Sequence, residues 1–325
     1  MIFLYIAVAA AAVLAILFSA AYFLFKYAVC RSVSLTPSEL IERLKKRYAN
    51  HPTKCQWGYM AEEGYNKLLK QELQDVYITS RDGLELHASL VECENATKTV
   101  IFSHGWRSAA FFDFSCIWEY YLSHKFNLLL IDQRAHGKSE GKYICFGVKE
   151  RYDLIDWAKF VNTRFGEDKK IFISGISMGS SALMMALGTD GLPQNVVGAS
   201  CDCGYTSPRA IFKHVLKKNF HLPAFPLIGL ANIISKLIAN FDFDEFSSDE
   251  GLKNAKIPII FIHGTGDGFV PVEHTYDNIK ACSSKYTEAI VENAEHGMSY
   301  LTDKESVMNG IEALHRSIFD DFEGT

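Results

Sequence analysis

The feature that most narrows the choice of fold is residues 171–181, Ile171-Phe172-Ile173-Ser174-Gly175-Ile176-Ser177-Met178-Gly179-Ser180-Ser181. A short run of β-formers turns through Gly-x-Ser-x-Gly and leads into Ala182, Leu183, Met184, Met185, Ala186 and Leu187, a helix-forming run. A serine at the apex of so sharp a strand–helix turn sits in strained backbone, so the positions two away on either side must be small. Gly175 and Gly179 meet that need. The helix behind the turn aims its free N–H groups at whatever negative charge develops near Ser177. Taken alone, the same pattern also describes an ordinary glycine-rich β–α turn. What separates the two readings is whether the chain also supplies a base, an acid and donors for an oxyanion.

Around this stretch strands and helices alternate. Residues 76–79 and 84–91 read as a hairpin closed by Asp82-Gly83. An apolar strand at 99–102 ends in Ser103-His104-Gly105-Trp106, a helix is predicted over 110–122, and a buried strand over 126–132. A helix at 148–165 precedes the strand that feeds Ser177, and further strands follow at 196–201 and 257–262. Strands apolar on both faces imply an α/β fold with a mostly parallel sheet and helices on both sides. Residues 205–251 interrupt this rhythm with a very apolar centre, broken by Pro223 and Pro226 and too short for a second membrane span. The position of this insertion predicts a helical lid lining an acyl-binding pocket at the carboxyl ends of the strands. The simpler alternative is a helical excursion that packs on the core.

Residues 2–25 carry no charged side chain and are long enough to cross a bilayer. A cleavable signal peptide with Ser19-Ala20-Ala21 at its end is the rival. It lacks a basic start, and the apolar run continues through Tyr22-Phe23-Leu24-Phe25, so an uncleaved single-pass anchor is expected. Lys26, Arg31, Arg43, Lys45, Lys46 and Arg47 all follow the run and none precedes it, which places the catalytic part on the cytoplasmic side. The chain therefore divides into an anchor (1–29), an amphipathic helical linker (30–74) and a catalytic domain (75–325). In the linker, Thr36-Pro37-Ser38-Glu39 is a helix start and a second helix is predicted over 62–73. A net charge of -5 gives no footprint for nucleic acid. The eight cysteines are scattered without paired C-x-x-C spacing, which favours free thiols over a metal site. No phosphate-cradling loop or dinucleotide fingerprint is present, so neither a cofactor nor a metal is expected.

Two loops supply the missing chemistry. Phe261-Ile262-His263-Gly264-Thr265-Gly266-Asp267 presents the carboxylate of Asp267, and Ile290-Val291-Glu292-Asn293-Ala294-Glu295-His296 presents an imidazole. The backbone N–H groups of Trp106 and Met178 are placed to form an oxyanion hole. Asp202, ending the strand after Ser177, is the rival acid; His104 and His136 read as loop-shaping residues and His263 as structural.

Together His104-Gly105-Trp106, Asp132-Gln133-Arg134-Ala135-His136-Gly137-Lys138-Ser139, Gly175-Ile176-Ser177-Met178-Gly179, His263-Gly264 with Asp267 and Pro271, and Glu295-His296-Gly297 resemble the α/β-hydrolase superfamily, over residues 75–319. The likeness is to its esterase, acylglycerol lipase and serine aminopeptidase-like branch. With its apolar start the chain resembles bacterial single-span hydrolases and, more distantly, Bem46-like anchored hydrolases. The resemblance implies a Ser177–His296–Asp267 triad acting through an acyl-enzyme on a small-molecule ester, a lipid among the candidates. Peptidase, thioesterase and amidase activities use the same triad, and an idle hydrolase fold serving as a membrane-bound scaffold is the alternative of another class. Gly266 and Gly268 depart from the bulkier or acidic residues of relatives and imply a looser acid loop.

Overall fold

The uninterrupted apolar start forms one helix, α1 (Ile2–Ala28), the only one among the described residues long and apolar enough to cross a membrane. The computed structural model describes residues 1–33 and 35–319. Ser34, in the expected linker, and residues 320–325, at the end of the expected catalytic domain, lie outside them. After α1 come α2 (Pro37–Tyr48) and α3 (Trp57–Leu68), then strands β1 (Leu73–Thr79), β2 (Glu85–Val91) and β3 (Lys98–Ser103). Short helices α4 (Ala110–Asp113) and α5 (Trp118–Ser123) lead to β4 (Phe126–Ile131), α6 (Glu150–Phe165), β5 (Lys170–Ile176) and α7 (Met178–Leu187). Next are β6 (Val196–Asp202) and the insertion helices α8 (Pro208–Asn219), α9 (Leu227–Ile238) and α10 (Ser248–Lys253). The chain finishes with β7 (Ile259–Gly264), α11 (Glu273–Ala281), β8 (Tyr286–Val291), α12 (Ser299–Thr302) and α13 (Lys304–Ile318).

The eight strands make one sheet in the order β1-β2-β4-β3-β5-β6-β7-β8. β1 and β2 pair antiparallel, with Val76 opposite Ala88, and β2 runs antiparallel to β4; every later pairing is parallel. Period-two side chains divide the core between two faces. Ile101, Ile171 and Ile173 pack under Leu154, Trp157 and Leu183 of α6 and α7. Val100, Phe102 and Phe172 pack on the other side against Phe114, Tyr121, Ile311 and Leu314. β3 lies between β4 and β5, so the chain reverses its direction of travel across the sheet there. The carboxyl ends of β3 and β5 therefore border a crevice where ligands bind in open α/β sheets.

Two expectations shift. The helix predicted over 110–122 is broken into α4 and α5, because the Ser115 hydroxyl bonds the Phe112 carbonyl (2.8 Å) in place of a helical turn and Asp113 is drawn into other contacts. The helix predicted over 62–73 instead spans Trp57–Leu68, since Trp57, Ala61, Gly64 and Leu68 form its buried stripe while Leu73 pairs with Val91 in β1. The start of α2 is as the sequence predicts: the Glu39 carboxylate accepts the Thr36 N–H (2.8 Å) and the Thr36 hydroxyl accepts the Glu39 N–H (3.3 Å).

Candidate active site

Ser177 joins β5 to α7 at φ 55°, ψ -115°, a conformation that L residues rarely adopt. Its N–H donates to the Asp202 carbonyl (2.8 Å), and its own carbonyl accepts from Ser181 (3.0 Å), so the turn is tied to β6 and α7. The flanking glycines are required by close approach. A Cβ on Gly179 would lie 2.0 Å from the Ser103 carbonyl oxygen, and one on Gly175 would lie 2.6 Å from that of Gly179.

The loop after β8 brings His296 to this serine, and the loop after β7 brings Asp267 to the histidine. His296 Nε2 is 2.9 Å from Ser177 Oγ, and Nδ1 is 2.6 Å from Asp267 Oδ2. An ionised carboxylate only accepts, so Nδ1 carries the proton and Nε2 is left to accept from the serine hydroxyl. Asp267 is held from all sides. Oδ1 accepts the N–H groups of Phe269 (2.8 Å) and Val270 (2.9 Å), and Oδ2 also receives the His263 Nε2–H (3.2 Å). His263 is fixed in turn by the Thr275 hydroxyl on Nδ1 (2.6 Å). Burial alone would raise the Asp267 carboxyl, but the bonds from His263, His296 and Val270 outweigh it and hold the group far below its ordinary range. The loose acid loop expected from Gly266 and Gly268 is therefore not what the chain forms.

Asp202 touches this site through its backbone. Its Oδ1 has no hydrogen-bond partner among the described residues, and burial pushes its carboxyl up to about 6. Trp106 lines both of the cavities that reach Ser177, and Met178 follows the serine at the start of α7. Among the described residues neither backbone N–H meets an acceptor, Met178 because it opens a helix. The loop carrying Trp106 is pinned on several sides. Asp113 accepts the Gly105 N–H (2.7 Å) and the Ser108 hydroxyl (2.6 Å), His104 Nε2 accepts the Gln133 N–H (3.1 Å), and His136 Nε2 accepts the Arg107 N–H (3.0 Å). Burial drives the His136 imidazole down to about 3, so it stays neutral and able to accept.

Two cavities meet at Ser177. One is a slot of about 100 Å³ walled by apolar side chains, among them Leu24 and Ala28 of α1, Phe212 and Leu216 of α8, and Ile228 of α9. The other, about 400 Å³, is more polar and is bordered by Leu44 and Arg47 of α2 and by Asp113, Asp202 and His296. The narrow one suits a thin apolar group and the wide one the rest of a substrate with water.

No family model matches the chain. An uncharacterized protein of Bacillus subtilis (strain 168), YqkD, is 25% identical over 252 residues, covering 76% of this chain and 80% of that protein. Among solved structures, the Pyrococcus furiosus esterase Pf2001 superposes with a TM-score of 0.63 at 24% identity, over 78% of this chain and 93% of its own. The esterase EaEST of Exiguobacterium antarcticum matches at 0.56 and 15% identity, over 75% and 100%. The chain has the α/β-hydrolase fold.

Within that α/β-hydrolase frame the structure gives specific contacts to residues that the sequence left without a role or, for His263, read only as structural. Asp113 braces the Trp106 loop, His263 braces Asp267, and Glu295 ties the His296 loop to Arg47 (2.6 Å) and Tyr48 (2.8 Å) of α2 and to Lys54 (2.7 Å) beyond it. Asp113 has no motif of its own, and His263 and Glu295 stand in the His263-Gly264 and Glu295-His296-Gly297 motifs without their contacts being readable from them. Cys203 Sγ lies within 4.8 Å of the Asp267 carboxylate and a His296 nitrogen. Burial raises that thiol well above its ordinary value, and the other two atoms already bond one another, so this donor set does not fit a resident metal.

Proposed function

We propose that this chain is a serine hydrolase of carboxylic esters with lipophilic acyl groups, anchored to a membrane by α1. The observation that carries the reading is the unbroken Asp267–His296–Ser177 hydrogen-bond chain at the head of an apolar slot, beside two unoccupied N–H groups. The resemblance of the fold to two esterases supports it. Ser177 Oγ attacks the ester carbonyl as His296 Nε2 takes its proton, and Asp267 stabilises the imidazolium that results. The tetrahedral oxyanion is met by the Trp106 and Met178 N–H groups, each donor being worth about 3 kcal/mol in such a transition state. The imidazolium returns the proton to the departing alcohol, and water then repeats the sequence on the acyl-enzyme to release the acid. The acyl part occupies the slot between α1, α8 and α9. The catalytic part lies on the cytoplasmic side, following the basic residues after α1; cleavage of it by protease added outside intact cells would reverse that assignment.

Full-length protein in detergent, with Ser177→Ala beside it, tests the chemistry. Hydrolysis of nitrophenyl esters and labelling by a fluorophosphonate are expected in the parent and absent in the variant. Persistence of either in Ser177→Ala removes Ser177 as nucleophile, and a folded parent inert to both is the scaffold outcome. Esters against peptides and thioesters of matched acyl length separate esterase from the other uses of the triad.

A further inference from the structure

The lid helix α9 is apolar on both sides. Its inner side, Leu227, Ile228, Ala231 and Ile234, is buried in a cluster with α1. Its outer side shows Ile233, Leu237 and Ile238 to the surroundings, with Leu237 81% exposed, and Phe225 just before it is 88% exposed. Lys236 is the one charged residue of the helix. A helix with large apolar side chains on its outer as well as its inner side calls for an apolar environment on that outer side.

The length of α1 indicates what that environment is. Residues 1–16 are exposed throughout, and packing against the rest of the chain starts at Leu17 and continues through Ala20, Ala21, Leu24, Phe25 and Ala28. At 1.5 Å per residue the free part, residues 2–16, is about 22 Å long. The hydrocarbon layer of a bilayer is about 30 Å thick. A spanning α1 must therefore draw its next one to two turns into the hydrocarbon, and these are the turns packed on α9.

Resting on the reading of α1 as a membrane span, we propose that α9 and the residues just before it form a second membrane-embedded element, with lipid acyl chains covering Phe225, Ile233 and Leu237. The apolar slot lies between α9 and the last turns of α1, with Ser177 at its head. Its substrate is therefore an ester of a bilayer lipid, taken from the acyl layer rather than from water.

Full-length protein in phosphatidylcholine–phosphatidylglycerol vesicles with brominated acyl chains tests this by tryptophan quenching, with the parent signal subtracted. Phe225→Trp and Leu237→Trp report the lid, Val8→Trp reports the anchor, and Tyr286→Trp on β8 reports solvent. Quenching at 225, 237 and 8 but not at 286 is the expected result. Quenching at 8 alone, or a crosslinked dimer through Leu237, overturns the embedded lid while leaving the anchor in place. No quenching at 8 overturns the anchor itself. In parallel, Leu237→Asp is expected to keep hydrolysis of a soluble butyrate ester and to lose about tenfold or more on a vesicle-borne lipid ester. Equal effects on both substrates overturn the proposal, whereas a parent inert on both esters removes the hydrolase reading instead.

Discussion

Replacing Asp267 by Asn tests the site at the group that sets the proton positions. Four donors converge on this carboxylate: two backbone N–H groups on Oδ1, and His296 Nδ1–H and His263 Nε2–H on Oδ2. An amide accepts at one end only. If its oxygen faces the histidines, its NH2 opposes two backbone N–H groups that cannot turn away, and each unsatisfied donor costs about 1–3 kcal/mol. If its oxygen faces the backbone, its NH2 meets the two histidines. His263 Nε2–H has the Val270 carbonyl at 2.9 Å to fall back on, but His296 must move its proton to Nε2. The second arrangement costs less and leaves Nε2 unable to take the Ser177 proton. The expected effect is a fall in kcat of about 10,000-fold, or about 5 kcal/mol in the barrier, with KM little changed. Hydrolysis of a nitrophenyl butyrate in detergent gives kcat and KM, and circular dichroism confirms that the variant is folded. A loss under about tenfold in folded protein refutes the reasoning, because Asp267 then does not control the His296 tautomer.

Two further substitutions probe the frame. Gly179→Ala puts a Cβ 2.0 Å from the Ser103 carbonyl, where neither backbone can yield, and is expected to cost about 3 kcal/mol or more. Gly229→Ala in α9, with open space around the new methyl, is expected to gain up to about 1 kcal/mol; thermal unfolding compares the two. Asp202→Asn tests linkage. The buried carboxyl titrates near 6 rather than 3.8, so the folded protein pays nothing below pH about 4, loses stability between 4 and 6, and above 6 bears a constant penalty of at most about 3 kcal/mol. The Asn variant is expected to melt with the parent at pH 4 and above it at pH 8. Equal melting at both values shows that Asp202 is not the burdened group.

Much of the fold was legible because its signals are local. Two-sided apolar strands, the Asp82-Gly83 hairpin and the Thr36–Glu39 cap each depend on residues close in sequence, and each is where the pattern puts it. Ser177, Asp267 and His296 were legible for a different reason: each follows a strand in a loop rich in small residues, and the parallel sheet brings such loops to one edge. What escaped depends on individual side-chain contacts, some local and some between distant segments. The break at residues 114–117 comes from hydrogen bonds of Asp113 and Ser115 that no helical periodicity encodes. The role of His263 rests on its bonds to Asp267 and Thr275 nearby, and that of Glu295 on contacts across the fold to Arg47, Tyr48 and Lys54. The boundaries expected at 29 and 74 are likewise crossed by side chains that meet at the site.

Trp106 shows how far this crossing reaches. Its indole N–H donates to the Ala28 carbonyl (2.9 Å), and Arg107 bonds the Tyr27 carbonyl, so two residues of the oxyanion-side loop cap the final turn of α1. The last carbonyls of a helix have no partner within it, and a cation there is favoured by the helix dipole. The backbone N–H proposed to meet the oxyanion thus belongs to a residue whose side chain is held by α1. Trp106→Phe keeps that N–H and most of the ring but deletes the bond to Ala28. If the bond positions the loop, the variant loses about tenfold in kcat, to an equal degree on short and long acyl esters, because a loosened donor weakens the transition state and not the acyl slot. If Trp106 only lines the slot, the change appears in KM, grows with acyl length and spares the butyrate ester. A chain-length series of kcat and KM distinguishes the two, and the second pattern would break the proposed link between anchor and oxyanion.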